Sequence, residues 1–249
     1  MNTTTRCLPL LLLLLAAPAP ARAVSGDEVI RMMDRSMTMA KDQHFIHRME
    51  TKEPGKPPRV IKMDVYIKGK EWRRIEMLEP GDVKGMKILS LSLDKMYVYL
   101  PAYRKVRRVA GHAQEQGFMG TTFNHDEISI VTYGPVFKAK LLSETKDHWK
   151  VEGIRRPGKP FRHKRLVFTI LKKYRQPSEL KYYNDKGQLM KTETRRDYVC
   201  KGKVCQPNVL RLTDHTRNNA WTEISCEKWE VNTGISDRAF TVRALQRGR

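Results

Sequence analysis

From Arg59 to Lys68 the chain alternates: Ile61, Met63, Val65 and Ile67 are apolar, and Lys62, Asp64, Tyr66 and Lys68 between them are polar. A period of two places the apolar set on one face of an extended strand and the polar set on the other. The same alternation, or a short apolar run, recurs along most of the chain. It is broken by turn signals such as Glu53-Pro54-Gly55, Lys68-Gly69-Lys70, Pro80-Gly81-Asp82 and Asn184-Asp185-Lys186-Gly187. The spacing predicts strands over 43–52, 59–68, 71–79, 86–93, 95–100, 104–109, 137–145, 148–155, 163–173, 178–184, 188–199, 204–217 and 221–231. A meander of that many strands cannot stay flat and open; it must curl, or pack on something.

Two segments depart from the pattern. Ser25-Gly26-Asp27-Glu28 has the form of a capping box, and Val29, Met33, Met37 and Ala40 follow at helical spacing, which predicts an amphipathic helix over 26–40. Ala110 to Tyr133 shows no clear strand alternation yet carries Phe118, Met119 and Phe123. A long segment of that kind inside a compact domain is usually functional. We expect an ordered flap there, with one helical turn near Asn124 to Ile130.

The first 23 residues read as a leader peptide: Arg6 is the positive start, Leu8 to Ala17 the apolar core, and Ala21-Arg22-Ala23 a small-x-small cleavage site. The apolar run is about half of what a bilayer span needs. The expectation is therefore an exported, periplasmic chain beginning at Val24, with residues 24–249 as one domain. The whole sequence has a formal net charge of +21, which draws in anionic surfaces at long range. Export argues against nucleic acid as the partner and leaves an anionic membrane surface as a candidate.

Cys200 and Cys205 flank a four-residue loop between two strand-like runs, so the spacing makes them a candidate disulfide. Cys226 is then left over, or is itself the partner of one of them. The nucleophile elbow GxSxG, the zinc pair HExxH, the phosphate loop GxxxxGK(S/T) and the dinucleotide turn GxGxxG are all absent from the sequence. No cofactor, metal site or enzyme activity is expected. His44 and His47 stand three apart on a strand and so face opposite ways, and His125-Asp126-Glu127 reads as charge at the start of a short helix. Arg104, Lys105, Arg107 and Arg108 follow Pro101 and put charge on both faces of one strand. Either that strand is a sheet edge, where charge discourages unwanted pairing, or one set of cations reaches over a groove toward an anion.

Three successions then resemble a known family: Glu79-Pro80-Gly81-Asp82-Val83-Lys84-Gly85, Tyr99-Leu100-Pro101-Ala102-Tyr103-Arg104-Lys105-Val106-Arg107-Arg108, and Phe118-Met119-Gly120-Thr121-Thr122-Phe123 with Asp126 following. Tyr182-Tyr183-Asn184-Asp185-Lys186-Gly187 and Ile235 to Thr241 continue the pattern. They are similar to the outer-membrane lipoprotein-sorting proteins of the LolA/LolB-like superfamily. The resemblance implies a mainly β (α+β) fold, a strongly curved antiparallel sheet forming an incomplete barrel, with an N-terminal helix and short helices across the open side. It further implies an apolar cavity that receives acyl chains of lipids or lipoproteins, and an inner-membrane transport complex as partner. The candidate wall is Met33, Met37, Met63, Val65, Ile75, Met77, Leu89, Leu91, Phe118, Met119 and Phe123, and Arg104, Arg107 and Arg108 are the candidate basic rim. The alternative is a periplasmic interaction module accessory to a transport or envelope-assembly complex, with large side chains plugging the concave face.

Overall fold

A computed structural model describes residues 24–110 and 117–246; the expected leader peptide and residues 111–116 of the flap lie outside the described residues. Among the described residues, thirteen antiparallel strands form one sheet that does not close into a barrel. They are β1 (Asp42–Lys52), β2 (Arg59–Lys68), β3 (Trp72–Glu79), β4 (Lys87–Ser92), β5 (Lys95–Leu100), β6 (Lys105–Arg108), β7 (Phe137–Glu144), β8 (His148–Arg155), β9 (Arg165–Leu171), β10 (Gln176–Tyr183), β11 (Leu189–Lys201), β12 (Val204–Asp214) and β13 (Ala220–Val231). Each falls where the alternation and turn signals put one, within about three residues at either end.

The spatial order is β6-β5-β4-β3-β2-β1-β13-β12-β11-β10-β9-β8-β7. Two uninterrupted meanders, one N-terminal and one C-terminal, therefore meet at a single join between β1 and β13. At that join Phe45 pairs with Trp229 and Met49 with Ile224.

Helix α1 (Gly26–Met37) starts where Ser25 accepts a hydrogen bond from the Glu28 amide at 3.2 Å. It is shorter than the predicted 26–40, because Thr38 caps it by returning its amide to Asp34. Val29, Ile30 and Met33 are its buried face. Gly26 lies so close to β7 that a Cβ there would come within 2.4 Å of the Lys140 backbone, and Asp27 accepts from the Ala139 amide at 2.7 Å. Helix α1 is thereby fixed across the C-terminal meander.

Helix α2 (His125–Ser129) is the short turn expected in the flap. The chain before it folds back on itself: Met119 and Gly120 take left-handed backbone angles, φ 52 and 77, and Gly117 bridges Asn124. A third helix, α3 (Val242–Gln246), follows a turn at Asp237–Phe240. These two pieces lie on the other side of the sheet, where Phe240 and Leu245 bury Leu89 and are flanked by Trp72, Leu91 and Tyr97. The alternation pattern does not predict this outer cover.

Candidate functional site

The concave side is covered by α1 and by the segment 117–136, and its two halves are filled differently. Over β7 to β10 the space is solid with rings. Tyr133 meets Phe168 edge-on at 5.2 Å, Phe137 meets Phe161 at 5.4 Å and Phe168 at 6.4 Å, all near perpendicular. Such geometry satisfies the ring quadrupoles and leaves little room. Over β1 to β3 and β11 to β13 aliphatic and methionine side chains take the place of packed rings, with Phe45 and a few polar groups among them, and a cavity of about 160 Å³ remains. Met37, Phe45, Met63, Val65, Ile75 and Phe123 form much of its wall.

Charged groups separate the two fillings. Glu127 of α2 is fully enclosed; Lys191 Nζ donates to its Oε2 at 2.8 Å, and His163 Nε2 lies 2.7 Å from its Oε1. Burial would push this carboxyl up, but His163 and Lys191 hold it below the ordinary range. Beside it Glu193 accepts from Arg195 Nε at 2.6 Å and from the Tyr182 hydroxyl at 2.8 Å. Asp126 accepts from the amides of Arg162 and Glu127, and burial, with the neighbouring Glu127 charge, pushes its pKa up to about 6.

On the other wall, Arg73 of β3 and His47 of β1 both face the cavity. Burial, together with the Arg73 charge, pushes His47 down to about 3. Arg73 donates through Nη1 to the Ile128 carbonyl of α2, tying the flap to the sheet.

Of the residues expected to form a cavity wall, Met37, Met63, Val65, Ile75 and Phe123 line this space. Met33, Met77 and Phe118 are buried in the surrounding core, with Met119 packed against it. Leu89 and Leu91 belong elsewhere: they point to the outer face, beneath α3. Lys87 to Ser90 are all buried, so β4 is covered on both sides and apolarity cannot tell which set of its residues faces inward. Arg104, Arg107 and Arg108 are exposed, on and beside the terminal strand β6, and do not line the cavity. β6 is the edge strand at one end of the sheet.

Cys200 and Cys205 face each other across the β11–β12 hairpin in a disulfide, with Cα atoms 4.1 Å apart, and Cys226 stays free. His44 pairs with Asp64 at 2.7 Å and Glu230 at 2.8 Å, away from His47. Glu127 does close the α2 capping box through the Asn124 amide, but its second partners come from β11 and from the chain before β9. The sequence reading missed this. A signal was present in β11, where Lys191, Glu193 and Arg195 share one face of a strand lying well inside the sheet order.

The same architecture occurs in solved structures. An outer-membrane lipoprotein-sorting protein domain from Vibrio parahaemolyticus superposes with a TM-score of 0.81 at 21% identity, over 89% of this chain and 98% of that one. A DUF1329 family protein from Desulfovibrio piger gives 0.81 at 22% identity, over 88% and 97%. A LolA superfamily protein from Nitrosomonas europaea gives 0.75 at 15% identity, over 89% and 100%. A family model that carries the description "uncharacterized protein" matches residues 69–247. The chain belongs to the family of that model, and its fold is the one seen in the LolA superfamily structure. No curated protein sequence matches it. The region matched by the family model takes in β3 to α3 and so includes the charged groups Glu127, His163, Lys191, Glu193 and Arg195.

Proposed function

We propose that the chain is a non-enzymatic periplasmic carrier that shelters acyl chains of a lipid or lipoprotein on the concave face of its sheet. The observation that carries this reading is the mainly apolar cavity between the sheet and the flap, with Met37 and Met63 in its wall. Methionine walls adapt to varied apolar ligands. Each methylene removed from water contributes about 0.8 kcal/mol, so ten of them supply ample affinity. A cavity of about 160 Å³ is benzene-sized rather than chain-sized, so this is a closed form. Loading requires the end of α1 and the stretch Phe123 to Tyr133 to move away from β2 and β3. Relatives described as lipoprotein-sorting or LolA superfamily proteins share the fold, which supports the reading.

The test is native mass spectrometry and lipid extraction of protein purified from the periplasm. Bound lipid, or uptake of added lipid, is expected; a ligand-free protein that takes up none would sink the proposal. A second reading, a periplasmic interaction module, has its own support in the half of the concave face filled by Tyr133, Phe137, Phe161, Phe168 and Tyr182. Recovery with a membrane transport complex, free of lipid, would favour it.

A further inference from the structure

The charges around the cavity do not balance. Glu127 is matched by Lys191, and Glu193 by Arg195. Arg73 makes one hydrogen bond, to the Ile128 carbonyl, and its buried Nε makes none. No carboxylate is within ion-pair distance of it among the described residues, and a second guanidinium, that of Arg195, acts on it electrostatically and disfavours its charge. A guanidinium has five donors in a fixed fork and stays charged under all ordinary conditions. Withdrawing one from water, even in part, without a counter-charge is costly, and Arg73 is part-buried, its Nε wholly so, on a strand whose neighbouring inward residues, Ile75 and Met77, are apolar.

Resting on the carrier reading, we infer that the ligand is an amphiphile with an oxyanion head, carboxylate or phosphate, which enters the cavity and pairs with Arg73 while its chain lies along Met63, Val65 and Ile75. The fork geometry of Arg73 suits both oxyanions in the same way. Arg195 is already held by Glu193, and Lys191 by Glu127, so Arg73 is the cation with donors to spare. The incoming head competes for the donors that hold the Ile128 carbonyl, so loading also loosens the flap.

The experiment uses the full exported chain and three probes of one chain length: oleate, oleyl alcohol and oleoyl lysophosphatidate, each below its micelle concentration. Acetate and inorganic phosphate serve as chainless controls. The two anionic amphiphiles should bind about tenfold or more tighter than the alcohol, the size expected for a charge-assisted pair. R73Q should abolish that preference, so that within the variant the anionic amphiphiles and the alcohol bind alike whatever their absolute affinity, and R73K should keep most of it. Preference for oleate over lysophosphatidate, or the reverse, identifies the head.

Equal binding of oleate and oleyl alcohol by the unmodified protein overturns the inference and leaves the carrier reading standing. An R73Q protein that keeps the preference overturns it too, as does inorganic phosphate binding as tightly as the amphiphiles. Failure of all three amphiphiles to bind overturns both readings together. The comparison in the unmodified protein needs no variant, so a folding defect in R73Q cannot hide the answer.

Discussion

The two halves of the concave face lie on one sheet, yet one is solid and the other hollow. Over β7 to β10 the core is built from Tyr133, Phe137, Phe161, Phe168 and Tyr182, and over β1 to β3 it is built from Met49, Ile61, Met63, Val65, Ile75 and Met77. Rings locked edge-to-face resist rearrangement, whereas methionine rotates through three bonds at little expense. The difference teaches that the sheet gives the shape, and the choice of side chains decides which part of it can open. The charged groups Glu127, Lys191, His163, Glu193 and Arg195 stand between the halves.

The largest effect should come from breaking the solid half. Phe168→Ala removes a fully buried ring that touches both Tyr133 and Phe137 and should cost about 3 to 5 kcal/mol, read from urea unfolding, with lipid uptake by the remaining folded protein unchanged. If uptake fails while the fold survives, the halves are not independent. The dividing charges come next. Lys191→Met leaves Glu127 enclosed without its cation and should cost about 3 to 5 kcal/mol. Adding Glu127→Gln should restore part of this, and a double variant no more stable than the single one would refute the pairing as the cause.

The hollow half should show itself in pH dependence. His47 is held neutral in the fold, with its pKa pushed down to about 3, while in the unfolded chain it takes a proton below about 6.5. Its contribution is thus complete above that pH and is lost as the pH falls, by about 2 kcal/mol at pH 5. Asp126, pushed up to about 6, acts in the opposite sense: its contribution is present at low pH and fades as the pH rises through about 4 to 6. The useful measurement is therefore the difference between His47→Gln and the unmodified protein at pH 7 and pH 5. Identical pH slopes would place His47 outside the closed core. Smallest in stability is Met37→Trp, which fills the cavity from the end of α1 and should change unfolding by no more than about 1 kcal/mol while abolishing acyl uptake. Undiminished uptake would move the ligand site elsewhere.

Much of this could be read in the sequence, and for definite reasons. Strands with one dry face, such as β2, declare themselves by alternation, and Ser25 with Glu28 marks the start of α1. Which face of β4 is inward could not be read, because Ile88 and Leu89 are both buried, each by a different cover. The charged groups between the halves escaped for another reason: Lys191, Glu193 and Arg195 show a local signal on one face of β11, but they meet Glu127 and His163 only through the curvature of the sheet, and no spacing along the chain links those segments. The cation strand β6 showed its charge openly but not its position, which depends on the order of strands across the whole sheet.

The join between β1 and β13 also bears on how the molecule comes together in time. Everything else in the sheet pairs with a neighbour in the chain, but Gln43 and Trp229, hydrogen-bonded across this join, are 186 residues apart. Closing so large a loop is entropically expensive and is repaid only after both meanders have taken shape. The expected order of assembly is two locally built wings that zip together last, when β13 has become available. Pulse-labelled hydrogen exchange would show it, with β2 to β5 and β8 to β11 protected before the amides of β1 and β13; early protection at the join would reverse the order.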